Sequence, residues 1–458
     1  MKKPSGLKHL VPVALALAVL AVIAARAGGP LYVGGPAPFA PGVPFVWGPS
    51  DSNPLTYWTD LGSLGLQSNA SADSLVASAF QVWQDAPTAS ITFAKDTSNS
   101  GKLGADVDAS NILSVLNTIE GCGPLGGIAK DGSIIYDLDG SAVAAVLGQA
   151  NQNTVLGFAT PACLGSNGVD SNYYQRGYAV LNGRFLDGIK TPTNPEVPVA
   201  EFKAVMIHEF GHMIGLDHSQ INLNCLTSYC APGSDDLEGV PTMFPVLIDA
   251  AAMSTLATDD IAAISLLYPE TVSNPPSQVP FASTTGRITG HVLFSDGQTP
   301  AQGFNVIARK TDNPLVTAVS CVSGFLYTAD AGDPVIPWYG DLYGSRDPAL
   351  IGYYVLPGLP PGDYTVEVEA IHNSEPIPFV GGSGLGPLGD LGFQFPLPSL
   401  LPNPPPCTPE YLVSGATATC SSTAATQIPV VGGSPVSTGT DVILIGTPPR
   451  YDAWEDVP

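Results

Sequence analysis

Three histidines and one glutamate fall within the stretch His208-Glu209-Phe210-Gly211-His212-Met213-Ile214-Gly215-Leu216-Asp217-His218. The only other histidines are His9, His291 and His372, so no second stretch concentrates metal-ligating nitrogen. On a helix, residues four apart share a face, and His208 and His212 can grip one ion as a pincer. Gly215 permits the positive φ of a sharp turn, which brings His218 round as a third nitrogen ligand. Three neutral imidazoles leave the fourth position of a tetrahedral Zn²⁺ to water, the arrangement of a catalytic rather than a structural site. Zinc lowers the pKa of that water to about 7. Glu209, adjacent to the first ligand, can then take its proton during attack on a peptide carbonyl and pass it to the leaving amine. A helix carrying surface histidines is the bland alternative, and it explains neither the offsets nor the glycine at the bend.

The pincer needs a helix, and Pro198 to Gly215 reads as one. A proline opens it, Glu201 sits in its first turn, and Val205, Ile207, Phe210 and Ile214 supply apolar surface. Two further helices are expected. Leu75, Ala79, Val82 and Trp83 fall at helical spacing within Ala72–Trp83, and Asp259–Leu267 is preceded by Thr258 as a cap and stopped by Pro269. Leu55–Trp58, Ile91–Phe93, Ser133–Asp137 and Gly177–Leu181 read as strands. Together they predict an α+β domain over residues 55–270, with a twisted mixed sheet and about three helices. A Gly/Pro-rich lead-in occupies 28–54, and Pro275 and Pro276 mark a linker over 271–283.

Beyond the linker the pattern alternates with period two. Arg287–Phe294, Phe304–Ala308, Tyr364–Val368 and Asp441–Ile445 are expected strands, Pro357–Asp363 a turn, and Pro376–Pro406 a long irregular excursion. A mainly-β domain over 284–447 and a tail of 448–458 complete the reading.

The histidine segment resembles the H-E-x-x-H-x-x-G-x-x-H consensus of the metzincin metalloproteases. Val240-Pro241-Thr242-Met243-Phe244-Pro245 resembles the methionine turn that lies beneath the zinc in that group. Within it, Asp217-His218-Ser219 and Leu256–Pro269 are similar to the extended motif and closing helix of matrixins. Ala79–Trp83 through Ile91–Phe93 is similar to their first helix and second strand. The resemblance covers residues 55–269 and implies a zincin-type fold, His208, His212 and His218 as ligands of one catalytic Zn²⁺, Glu209 as general base, and Gly215 and Met243 as structural supports. The histidines of the second, structural zinc of vertebrate-type matrixins are missing, so that site is rejected. No cysteine precedes residue 55 to cap the zinc, and Cys122-Gly123-Pro124 lies inside the domain. Matrixins often bind Ca²⁺, and Asp137-Leu138-Asp139-Gly140-Ser141 is the candidate for it. The loop fails the EF-hand pattern at Ala142 and Gly148, and a plain turn after a strand outweighs it. Gly286–Val292 and Tyr353–Val366 resemble the transthyretin-like module that follows some exported catalytic domains, which implies a small β-sandwich serving either attachment or stability.

Composition fits export. Lys2, Lys3 and Lys8, the apolar run Leu10–Ala25 and Ala25-Arg26-Ala27 form a signal peptide over residues 1–27. Losing its four cations moves the formal charge from −24 to −28, which disfavours nucleic acid and anionic membranes. The apolar run is shorter than the roughly 20 residues of a bilayer span, so no stable membrane insertion is expected. The destination is secreted, periplasmic or the outer cell surface. Seven cysteines suit an oxidising compartment. Cys225/Cys230 and Cys407/Cys420 are candidate pairs, Cys122/Cys163 a third, and Cys321 is left over. The expected activity is a zinc endopeptidase acting on extracellular proteins or peptides. The competing reading is an adhesion or binding protein with an inactive protease-like domain. An intact Glu209 beside three intact histidines argues against the latter.

Overall fold

A computed structural model of the chain describes residues 29–445 apart from 36–37, 49–53, 126, 169–170, 192–195, 220, 223–236, 238, 273–277, 327–344, 346, 371–406 and 408. The signal segment, the tail, the excursion over 376–406 and the Cys225/Cys230 pair therefore lie outside the described residues.

The first domain is built on six strands: β1 Phe45–Trp47, β2 Leu55–Thr59, β3 Phe93–Lys95, β4 Gly132–Asp137, β5 Gly157–Ser166 and β6 Asn172–Asn182. Strands β3, β2, β4 and β6 run side by side in parallel, and β1 lies parallel to the start of β6. Strand β5 runs antiparallel along β6 from Gly157↔Leu181 to Ser166↔Asn172. The sheet is thus mixed, with one antiparallel edge.

Among the described residues five helices of four residues or more belong to this domain: α1 Asn69–Gln84, α2 Ile112–Glu120, α3 Ser141–Leu147, α4 Val199–Met213 and α5 Thr258–Leu267. Three were anticipated, so the expectation of about three is corrected. Helix α2 carries a readable signal, since Ile112, Val115, Leu116 and Ile119 are all buried at helical spacing. Helix α3 is small and apolar on nearly every side, with Ala142, Val143, Ala144 and Val146 buried, which erases its periodicity. The cap of α5 also differs. Thr258 is the first helical residue, and Asp260 instead reaches back to accept from Ala257 N at 2.8 Å.

Both faces of the sheet are covered, which is why β4 is buried along its whole length. Ile134 and Tyr136 meet α1 and α4 through Val76, Phe80, Trp83, Phe202, Met206 and Phe210. Ile135 and Val180 face α2 and α3. Phe80 and Phe210 stack with ring centroids 4.0 Å apart and lock α1 to α4. Lys102 reinforces the end of α1: its ammonium lies against Thr59 Oγ1, Asp60 O, Asn69 Oδ1 and both Asp73 oxygens at 2.5–3.0 Å.

The segment read as a lead-in joins this domain. Besides β1, Asn172 binds it by accepting from Ala40 N and donating to Ala40 O and Val43 O. Periodicity missed this segment because its partners are distant in sequence. Strand β5 was also missed; its Pro161 argues against a strand, yet here sits at the sheet edge.

After a short helix α6 (Phe281–Thr284), a β-rich unit follows with β7 Gly286–Leu293, β8 Phe304–Lys310, β9 Ala318–Val322, β10 Tyr353–Leu359, β11 Gly362–Ala370, β12 Glu410–Val413, β13 Ala416–Thr419, β14 Ile428–Val430, β15 Pro435–Val436 and β16 Val442–Ile443. Ile288 and Val292 of β7, Tyr354 and Leu356 of β10, Val306 of β8 and Val366 of β11 share one core. The expected turn at Pro357–Asp363 is narrower: Pro357 and Gly358 sit at a register shift inside the β10–β7 pairing, and β11 starts at Gly362. Cys122–Cys163 and Cys407–Cys420 form disulfides, and Cys321 is a buried free thiol.

Candidate metal centre

Helix α4 begins after Pro198, whose φ of −56° suits the entry to a helix. Its last two turns carry His208, Glu209 and His212. Gly215 follows with φ +99°, and a Cβ there would lie 2.8 Å from the Tyr174 ring, so both conformation and space require glycine. The chain then doubles back to His218.

The three imidazoles converge. His212 Nε2 lies 3.1 Å from His208 Nε2 and 3.1 Å from His218 Nε2, and the third side is 3.3 Å. Nitrogens at about 2.0–2.1 Å from a tetrahedral zinc would be separated by about 3.3 Å. The protonation pattern supports the same reading. His208 Nδ1 donates to Thr242 O at 2.8 Å and His212 Nδ1 to Leu216 O at 2.9 Å. A neutral imidazole carries one N–H, so the inward nitrogens of both rings are bare lone pairs aimed at one point. Burial depresses the His208 pKa to about 4 and the His212 pKa to about 3, and pushes His218 down as well. These residues form a cluster that can hold a metal ion, and each outer N–H of the first two is fixed in the manner usual for ligating histidines.

Glu209 is 7% exposed and faces the same cavity as the three histidines. Gly157 of β5 makes room for it, since a Cβ there would come within 2.9 Å of Glu209 Cγ. Burial raises the carboxyl pKa to about 8; a neighbouring cation would oppose that shift by favouring the charged form. The cavity, about 360 Å³, is walled by Leu156, Val205, Phe244, Leu247 and Met253 on the apolar side and by Gly157–Thr160 of β5 along one edge.

Met243 is buried beneath α4, against Gly211, whose missing side chain leaves space for the thioether. The Thr242–Met243 backbone is anchored by Asp260, which accepts from Thr242 N at 2.8 Å and from Met243 N at 3.0 Å. Burial first, then the neighbouring Asp259, raises the Asp260 pKa to about 7, against three backbone N–H bonds that lower it. Sequence reading did not identify Asp260, Thr242, Gly157 or Gly211 as parts of the site. An acidic pair opening an apolar helix was the available signal for Asp260.

The Asp137 loop is a turn that caps α3. Asp137 is 1% exposed and its carboxylate accepts from Gly140 N at 3.1 Å and Val143 N at 2.8 Å, while Asp139 accepts from Ser141 N. Its oxygens are already engaged by backbone donors, which weighs against the Ca²⁺ reading. Among the described residues no helix is long and apolar enough to cross a membrane. The chain matches no protein-family model, and a search of curated proteins finds no match.

Proposed function

We propose that this protein is an exported zinc-dependent endopeptidase of metzincin, matrixin-like character. The observation that carries the proposal is the meeting of three imidazole nitrogens at 3.1–3.3 Å, with a buried glutamate on the same cavity. A bound zinc ion supplies Lewis acidity, lowering the pKa of water and polarising a carbonyl. His208, His212 and His218 would hold it, kept neutral by burial. Glu209 receives a proton on its carboxylate as water attacks the peptide carbonyl and returns it to the departing amine. Strand β5 pairs with β6 alone among the described strands, and Gly157–Thr160 at its start border the cavity. An extended substrate can therefore lie along it by strand addition, with a side chain in the apolar pocket beside Val205 and Phe244. The two disulfides suit an oxidising compartment.

The direct assay is hydrolysis of casein by the mature chain with and without a chelator, repeated for Glu209→Ala. The wild type should cleave, lose activity on chelation and regain it with zinc. Glu209→Ala should keep zinc and lose at least about a hundredfold in rate. Equal cleavage by the two proteins would refute the role of Glu209.

A further inference from the structure

The third imidazole is held differently from the other two. His208 and His212 donate from Nδ1 to backbone carbonyls, whereas His218 Nδ1 is buried without a hydrogen-bond partner. No hydrogen bond from Nδ1 orients the His218 ring, which leaves more of its placement to the backbone, and that backbone is gripped from three directions. The N-terminal segment pairs with the bend, Leu31 N donating to Gly215 O at 2.7 Å and Asp217 N to Gly29 O at 3.0 Å. The methionine turn accepts Ser219 N at Met243 O, 2.8 Å away.

The third grip comes from the β-rich unit. Asp259, buried in the first turn of α5, accepts from Ser320 N of β9 at 2.7 Å and from Ser320 Oγ at 3.2 Å. Ser219 Oγ lies 3.4 Å from Ser320 Oγ. Alongside, Ile307 and Ala318 pack on Ile221. Arg309 Nη1 donates to Asn222 Oδ1 at 2.9 Å, and Asn222 Nδ2 donates to Leu315 O at 3.1 Å. One face of strands β8 and β9 thus covers Ser219, Ile221 and Asn222, which follow the third ligand. The Ser320 hydroxyl touches this stretch at Ser219, and Asp259 holds Ser320 in turn.

We infer that the β-rich unit is a working part of the metal centre, with Asp259 and Ser320 as positioning residues that fix Ser219 and through it the His218 imidazole. The inference rests on the reading of the three histidines as zinc ligands. A unit serving only attachment would have no reason to set a buried serine, itself held by a buried carboxylate, against the residue next to a ligand. Outer partners of metal ligands commonly govern affinity by about 10–100-fold, and His218 Nδ1 has no hydrogen-bond partner of its own to supply that control.

The test is the zinc dissociation constant of the full mature chain, measured by competition with a chromophoric chelator, for wild type, Asp259→Ala, Ser320→Ala and Phe281→Ala. Phe281 of α6 lies at the junction of the two units against Gly358; its apolar side chain takes no part in the hydrogen bonds of Asp259 and Ser320, so it controls for general loosening. Ser320→Ala and Asp259→Ala should each weaken zinc by about tenfold, with Phe281→Ala within about twofold of wild type. The visible spectrum of the cobalt-substituted protein should change in the first two variants only. Folded Asp259→Ala and Ser320→Ala with wild-type affinity would overturn the inference, as would an equal loss in Phe281→Ala. If Asp259→Ala does not fold, Ser320→Ala decides. A wild type that takes up no zinc would remove the metal reading itself, and this role with it.

Discussion

At the residue scale, the site depends on what is absent from two glycines as much as on what its histidines present. Gly211 sits between the two pincer histidines, where a Cβ would meet Met243 Sδ and approach Trp83 Cζ2 to 2.8 Å. The Trp83 ring cannot retreat, being fully buried with Nε1 donating to Ile207 O at 2.8 Å. Gly211→Ala would gain up to about 1 kcal/mol in helix propensity and lose about 1–3 kcal/mol to overpacking. We predict a net loss, visible as a lower urea midpoint in the metal-free protein; an unchanged or higher midpoint would show that the packing yields. The three histidines, Glu209 and Gly215 could be picked out because they fall within eleven residues, whereas Met243 was singled out only through the resemblance of its turn to that of the metzincins. Gly157 and Gly211 were not, because what excludes a side chain there comes from elements far away in sequence.

At the element scale, helix α4 supplies two histidines and α5 supplies the order beneath them. Asp260 accepts three N–H groups, from Ala257, Thr242 and Met243, and Thr242 in turn orients His208. Asp260→Ala leaves those donors without their acceptor and should cost about 3 kcal/mol in chemical denaturation, at about 1 kcal/mol per bond. Asp260→Asn, which keeps an acceptor oxygen, should lose less. Equal stabilities for both variants and wild type would remove Asp260 from the support of the site. Helices α1, α4 and α5 could be read from helical spacing and end signals, and strands β2, β4 and β6 from short apolar runs, although β4 is buried along its whole length and shows no polar face. Strand β5, which borders the cavity, could not: Pro161 and the glycines at its ends look like loop, and only pairing with β6 makes it a strand.

At the scale of the whole molecule, two units meet at Ser219, Ile221 and Asn222 beside the histidine cluster, and α5 belongs to both, with Ala262 buried in the core of the β-rich unit. Alternation announced that unit, but nothing in its pattern reveals what its outer face covers. Its own stability should respond to pH through Glu410, a buried residue whose pKa rises from 4.5 to about 7 because of desolvation, partly offset by the bond from Ile445 N. A carboxyl raised in the fold favours the folded state fully below its unfolded pKa, and that contribution is lost as pH rises through 7. Glu410→Gln should therefore melt higher than wild type at pH 8 and converge with it near pH 4; a constant difference across that range would contradict the assignment. The central claim is that His208, His212 and His218 hold one zinc ion. Metal analysis of the purified mature chain tests it directly: the account predicts one zinc per chain in the wild type and almost none in a folded His212→Ala variant, whereas an equal metal content in the two would contradict it.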